Sequence, residues 1–339
     1  MTDREKVYTK VVKELKEMME MSHQGHLVTL AMLITDIVMG RNAQLSQIST
    51  EVPADAKDKS VEMRLRRWVK HAGIELDIIY MPFARQILEA LSGAPLILVM
   101  DGSQVGRGCM VLMVGVLYKN RALPIAWVAY KGKKGHTTGQ RHIQALEKVL
   151  PLLPDNSEVV LLGDAEYDTT EMLLWMKEHT NWQYVLRTSP QIYVQEGQNC
   201  QPIGNCSLSK GQPFHRQQVG FTQDAPVLLN MIGWWASQYD EPIFLVSNIT
   251  NSYQACRFYR RRFQIETFFS DQKSRGFHIH KSHLADPARI SRLLIDRTDR
   301  IDESIFRLGL DWIKCALKRN LHFEPIFCFQ SVEFHANVR

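Results

Sequence analysis

The sequence predicts an α/β protein with a mixed sheet covered by helices. Two runs, Leu96–Met100 and Glu158–Gly163, are almost continuously apolar, which is typical of strands buried on both faces. Further strands are predicted at Met110–Tyr118, Ala122–Tyr130 and Trp182–Arg187, and amphipathic helices at Thr138–Leu150 and Thr169–His179. The resulting order is three strands, helix, strand, helix, strand. Such an order predicts a mixed sheet with helices on its faces.

Residues 1–90 have helical periodicity and predict a helical domain before the sheet. Helices are expected at Val7–Met21, His26–Gly40, Ala43–Val52 and Val61–His71. The last of them is basic, with Arg64, Arg66, Arg67 and Lys70. Short helices joined by a tight turn suit a helix-turn-helix-like module that contacts DNA. A compact helical bundle has the same pattern, so both interpretations stay open.

The composition is that of a globular protein: of 339 residues, 45% are hydrophobic and 23% charged. The net charge of +5 is concentrated, since residues 255–300 hold eleven Lys and Arg against five Asp and Glu. This concentration indicates a partner that carries phosphate groups. The six cysteines lack a disulfide framework, and no segment has the length and apolarity of a membrane span. We therefore expect a reduced, intracellular protein with no membrane partner.

Two carboxylates follow the two most apolar strands. Asp101 comes directly after Leu96–Met100, and Asp164 directly after Glu158–Gly163. Ligands of α/β sheets bind beyond the carboxyl ends of the strands, where both side chains would face a crevice. An Asp after a strand is also an ordinary turn residue. Together with Glu266, on a basic helix, the two aspartates would hold two divalent ions for phosphoryl transfer.

Glu266 belongs to a row of polar residues in the segment YRRRFQIETFFSDQK, at positions 259–273. Tyr259, Arg262, Glu266 and Lys273 lie at offsets of 0, 3, 7 and 14, within a stripe of roughly 60° on one helical face. Neighbouring aromatic residues predict an adjoining buried face. A carboxylate flanked by bases suits a site for a metal ion and a polyanion. A solvated helix face with Arg–Glu pairs has the same pattern.

The spacing of Tyr, Arg, Glu and Lys in this row resembles the Y-R-E-K signature of DDE insertion-sequence transposases. That family has a ribonuclease-H-like core with a β-rich insertion. The surroundings of Asp101 and of Asp164, the latter in LLGDAEYD, are similar to its first and second catalytic aspartates. Trp182–Arg187 and Phe244–Asn248 resemble its flanking strands. The resemblance extends over roughly residues 27–310.

This resemblance implies a transposase that binds the terminal inverted repeats of its element, cleaves them and joins the ends to target DNA. The catalytic and metal-binding residues would be Asp101, Asp164 and Glu266. They would bind Mg²⁺ or Mn²⁺, with two ions in the site. The residues in contact with DNA would be Tyr259, Arg262 and Lys273. The expected partner is double-stranded DNA, with a homodimer assembled on it, in the bacterial cytoplasm with the nucleoid.

The resemblance also divides the chain. The parts are a helical DNA-binding domain at 1–90, the first part of the core at 91–188, a β-rich insertion at 189–250, the completion of the core with the signature helix at 251–295, and a C-terminal helical segment at 296–339. The polar composition of 189–241 suits hairpins and loops. In the family, a long apolar helix follows the segment matching Arg289–Ile295, whereas here Ile295 runs directly into Asp296. We therefore expect a shortened copy.

Two other interpretations stay open. The first is a DNA-binding relic that keeps the fold without turnover. The second is a ribonuclease-H-like nuclease or junction resolvase that cleaves DNA without transposition. Metal-dependent cleavage confined to inverted-repeat ends would separate an active transposase from both.

Overall fold

The computed structural model describes residues 2–18, 24–40, 58–211, 213–224, 227–237, 240–266, 269 and 284–298. Its strands are β1 Leu96–Val105, β2 Cys109–Tyr118, β3 Arg121–Lys131, β4 Val159–Gly163, β5 Gln183–Thr188, β6 Tyr193–Glu196, β7 Asn199–Pro202, β8 Phe214–Phe221, β9 Val227–Trp234 and β10 Ile243–Ser247. Its α-helices are α1 Asp3–Met18, α2 Gln24–Gly40, α3 Asp58–Lys70, α4 Leu76–Ile79, α5 Met81–Leu91, α6 Gly139–Val149, α7 Thr170–His179, α8 Ser252–Arg260 and α9 Pro287–Thr298.

These strands form one mixed sheet, in the order β3-β2-β1-β4-β5-β10-β9-β8-β6-β7. In the first five strands β1, β4 and β5 are parallel, and β2 runs antiparallel to both of its neighbours. This order, with only β2 reversed, is the ribonuclease-H-like arrangement. The predicted mixed α/β fold is thereby confirmed.

The central strands are buried on both faces, as their apolar runs predict. Every residue of β2 and β4 is buried, and so is Leu96–Met100 of β1. Helices supply the cover: α5, α6 and α9 pack against β3, while α8 packs against β5. Parallel strands have such cover because the helices that connect them lie over both faces of the sheet.

The region predicted as a β-rich insertion continues the same sheet. Its strands β6, β7, β8 and β9 reach the core through β10, which pairs with β9 on one side and with β5 on the other. Trp234 at the end of β9 is 4% exposed, and the Arg260 guanidinium lies 4.8 Å from its ring. Its burial indicates that Trp234 is a packing residue.

The N-terminal helices pack on one another and on α9. Three of the four predicted helices correspond to α1, α2 and α3, whereas Ala43–Val52 lies outside the described residues. The indole of Trp68 in α3 donates to the His26 carbonyl at 3.1 Å, and Trp127 in β3 donates to the Ser291 hydroxyl of α9 at 2.9 Å. Among the helices described, none is long and apolar enough to cross a membrane.

A tight turn between β1 and β2 is hydrogen-bonded to the segment that immediately precedes α9. Gly106 and Gly108 in this turn have φ values of 62° and 63°, a region that favours glycine. Between them, the Arg107 amide donates to the Leu284 carbonyl at 2.8 Å. Helix α9 then continues across the expected boundary at Asp296 as far as Thr298. The predicted C-terminal segment otherwise lies outside the described residues.

Candidate active site

Asp101 and Asp164 lie next to each other at the edge where β1 and β4 stop pairing. The last partners of this parallel ladder are Met100 and Gly163, each of which immediately precedes one aspartate. Neighbouring strands are about 4.8 Å apart, so the two carboxylates emerge side by side. One detail differs from the expectation, because β1 does not end before Asp101. It continues to Val105 in its antiparallel pairing with β2.

Asp101 is held by two donors. The Gly102 amide donates to Asp101 Oδ1 at 2.7 Å, and the Tyr167 hydroxyl donates to the same oxygen at 3.4 Å. Burial raises the pKa of Asp101, opposed most strongly by the Gly102 amide. The positive charges of Arg262 and Lys134 also oppose the rise, whereas the Asp164 charge adds to it. The Asp101 carboxylate is therefore poorly hydrated, and its charged form is stabilised first by the Gly102 amide and then by neighbouring cations.

Asp164 is more open, with 38% of its side chain exposed. The Ala165 amide donates to Asp164 Oδ1 at 2.9 Å. Two guanidinium groups approach it: Arg187 Nη1 lies 3.8 Å from Oδ1, and Arg262 Nη1 lies 3.8 Å from Oδ2. Since Arg187 lies near the end of β5, side chains from the ends of three adjacent strands meet at this edge.

Glu266 reaches the aspartates through Arg262. Arg262 Nη2 donates to Glu266 Oε1 at 3.0 Å, and the Arg262 side chain is only 5% exposed while that of Glu266 is 50% exposed. Burial lowers the pKa of Arg262, but attraction from Tyr259 and from all three carboxylates outweighs burial and raises it. The guanidinium therefore remains charged among Asp101, Asp164 and Glu266.

The signature segment differs from the prediction of one helix with an accessible polar row. Helix α8 ends at Arg260, a 3₁₀ turn follows at Arg261–Phe263, and the described residues 264–266 are again helical. Tyr259 and Arg262 are both 4% exposed. They face inward because the carboxylates that attract Arg262 lie on the sheet side, which helical periodicity does not reveal. Lys273 lies outside the described residues.

The donor chemistry of the three carboxylates suits divalent metal ions, since Mg²⁺ and Mn²⁺ prefer oxygen ligands. Strand ends also hold two of these ligands on rigid elements. Within the described ranges, however, no three acidic, His or Cys side chains are gathered as a metal-ligand cluster. Glu266 is paired with Arg262 instead. The three side chains fit the ions chemically, and Glu266 would have to leave its ion pair to bind an ion together with the aspartates.

Sequence reasoning missed Tyr167 and Arg187 at this site, whereas it indicated the loop that contains Lys134 as a possible contact with the DNA backbone. Tyr167 is fully buried, and burial raises its pKa, so its hydroxyl remains a donor to Asp101. Tyr167 lies in the segment LLGDAEYD and Arg187 in WQYVLR. The family resemblance covers both segments without indicating these side chains. Lys134 lies in an exposed basic loop, for which a backbone contact with DNA and simple solvation are equivalent in sequence.

A family model described as the transposase DDE domain matches residues 97–297. This match covers more than half of the chain. The protein belongs to the transposase DDE domain family. It is a DDE transposase.

Several solved structures are similar to the chain, and two of them are described here. One is the piggyBac transposase synaptic complex with hairpin DNA, at 12% identity and a TM-score of 0.45, covering 95% of this chain and 75% of that one. The other is Aa-Ago with externally bound siRNA, at 12% identity and a TM-score of 0.28, covering 57% of this chain and 30% of that one. A comparison with curated proteins gave no match.

Proposed function

We propose that this DDE transposase belongs to the Y-R-E-K group, binds the terminal inverted repeats of its element, cleaves the DNA there and joins the ends to target DNA. The observation that carries the proposal is the adjacency of Asp101 and Asp164, each directly after the last pair of the parallel ladder between β1 and β4. Arg262 links Glu266 to this pair, because it contacts Asp164 and is hydrogen-bonded to Glu266. Two carboxylates positioned by the sheet, with a third close by, suit phosphoryl transfer because that reaction depends on positioning and charge stabilisation.

Asp101, Asp164 and Glu266 would hold two Mg²⁺ or Mn²⁺ ions. Such ions, when bound, supply Lewis acidity toward the phosphoryl oxygens and activate a water or 3′-hydroxyl. The protein's own contribution is orientation. The Gly102 amide and the Tyr167 hydroxyl hold one oxygen of Asp101, leaving its other carboxylate oxygen for the ions.

The DNA strand would lie across the basic rim of this site. Lys134 is exposed, and the Arg187 side chain is 45% exposed, so both can reach phosphates beside the aspartates. Arg262 and Lys273 would bind phosphates near the strand end. Tyr259, whose ring centre lies 5.8 Å from the Arg262 guanidinium, would orient that contact. Neutralising any one of these basic side chains should reduce the salt dependence of DNA binding, because fewer counterions are then released.

The experiment uses the full chain and a DNA fragment containing its gene with both flanks. We expect nicking at the inverted-repeat ends that requires Mg²⁺ or Mn²⁺. Asp101→Asn, Asp164→Asn and Glu266→Gln should each lower cleavage by on the order of a hundredfold or more, while DNA binding persists. Asp155→Asn, in an exposed turn, is the matched control and should cleave normally.

The outcomes separate the alternatives. Binding to the ends without nicking under any metal condition would identify a relic. Cleavage of any branched or hybrid duplex, without preference for the ends, would identify a ribonuclease-H-like nuclease. Metal-independent cleavage, or full activity in the Asp101 and Asp164 variants, would refute the proposed chemistry.

A further inference from the structure

Arg262 occupies the position in this site where a cation would be expected. Its guanidinium lies 3.8 Å from Asp164 Oδ2 and 3.0 Å from Glu266 Oε1, and its charge also acts on Asp101. The carboxylates belong to three separate elements, and Arg262 is the group that all of them share. Its side chain is 5% exposed, far less than those of Asp164 and Glu266.

A buried guanidinium is retained only where negative groups compensate for its lost hydration. Here the compensation is electrostatic rather than a full set of hydrogen bonds, because Arg262 Nε is buried without a hydrogen-bond partner in the described structure. The carboxylates in turn depend on Arg262. Asp101 and Asp164 are adjacent like charges, and each raises the energy of the other's ionised form. Arg262 relieves that repulsion.

We propose that Arg262 is the resident counter-cation of the metal-free site and that a divalent ion must displace it to gain Glu266 and Asp164. This inference rests on the proposed function, in which the three carboxylates bind metal. Displacement breaks the bond between Arg262 and Glu266 and returns a charged side chain toward solvent. A DNA phosphate offers that side chain a new partner, so metal loading and DNA binding favour each other.

The consequence is that metal binding without DNA is weaker than three carboxylates alone would allow. A hydrogen bond between charged groups is worth enough to change an equilibrium constant by about tenfold. Neutralising Arg262 without emptying its space should therefore strengthen metal binding by about tenfold or more. The same change should leave a cluster of carboxylates that repel one another. Bound metal should then raise the free energy of unfolding.

The test is titration of the full chain with Mn²⁺ in the absence of DNA, following free Mn²⁺ by electron paramagnetic resonance. The variants are Arg262→Gln, with Arg260→Gln as the matched control. Arg260 carries the same charge on the same segment but lies over the Trp234 ring. We expect Arg262→Gln to bind Mn²⁺ about tenfold or more tightly than the wild type and Arg260→Gln to bind it like the wild type. Asp101→Asn should lose the site in both backgrounds.

Arg262→Lys covers the case in which Arg262→Gln does not fold. Lysine keeps the charge but lacks the forked donors, so Mn²⁺ binding should tighten several-fold. Equal Mn²⁺ affinity in the wild type and in the folded Arg262 variants overturns the inference alone and leaves the metal site standing. If no variant or wild type binds Mn²⁺ at a site that Asp101→Asn removes, the proposed metal function fails together with the inference.

Discussion

Replacing Gly106 by Ala should destabilise the protein far more than the same change at Gly108, although both glycines have nearly the same backbone conformation. Their φ values are 62° and 63°, so the strain of adding a side chain in the left-handed region is common to both. That strain is about 1–2 kcal/mol. The surroundings differ. A Cβ at Gly106 would lie 2.3 Å from the Leu284 carbonyl oxygen and 3.1 Å from Ile290 Cδ1, whereas a Cβ at Gly108 meets nothing within 4 Å.

The extra cost at Gly106 follows from this crowding. Leu284 would have to move away, although its carbonyl accepts the Arg107 amide at 2.8 Å. Losing that hydrogen bond costs about 1 kcal/mol, and overpacking costs about 1–3 kcal/mol. We therefore expect Gly106→Ala to lower the free energy of unfolding by about 3–6 kcal/mol and Gly108→Ala by about 1–2 kcal/mol.

Urea denaturation followed by tryptophan fluorescence measures the difference, and hydrogen exchange locates it. The Arg107 amide should lose protection in Gly106→Ala and keep it in Gly108→Ala. Residues 284–298 should exchange faster only in the first variant. Equal destabilisation by the two substitutions, or unchanged protection of the Arg107 amide, would refute the contact between this turn and the chain before α9.

Two titratable groups, the buried His142 and the half-buried Asp168, predict opposite pH dependences. Burial lowers the pKa of His142 to about 4, although the charge of Glu166 opposes this shift. In the unfolded chain the pKa of His142 is about 6.5. The folded protein therefore loses stability as the pH falls from 6.5 toward 4. In His142→Phe the free energy of unfolding should no longer fall by up to about 3 kcal/mol over this pH range, as measured by denaturation at several pH values. Burial raises the pKa of Asp168 to about 6 from 3.8, so its contribution is present below pH 3.8 and is lost as the pH rises through 6. In Asp168→Asn the free energy of unfolding should no longer fall by about 3 kcal/mol over this pH range. If the pH dependence of stability is unchanged in either variant, the burial of the replaced group is contradicted.

The candidate site was only partly predictable. Asp101 and Asp164 were identifiable because each directly follows an apolar run, and a strand buried on both faces has a distinctive local composition. Their adjacency required the pairing of β1 with β4, which joins segments about sixty residues apart. Tyr167 and Arg187 were missed for the same reason. Each acts through a side-chain contact with a distant or neighbouring strand end, and no periodicity reveals such a contact.

The sequence by itself determined the strand and helix order of the core and the spacing of the signature residues. These properties depend on local chemistry, namely apolar runs and helical period. Only the tertiary structure decided that the insertion strands extend the same sheet through β10. It also decided that Arg262 turns inward, because its orientation follows from the field of carboxylates on β1 and β4 and not from the helix that carries it. Long-range pairing and electrostatics therefore convert a polar row on a helix into a charged centre shared by three elements.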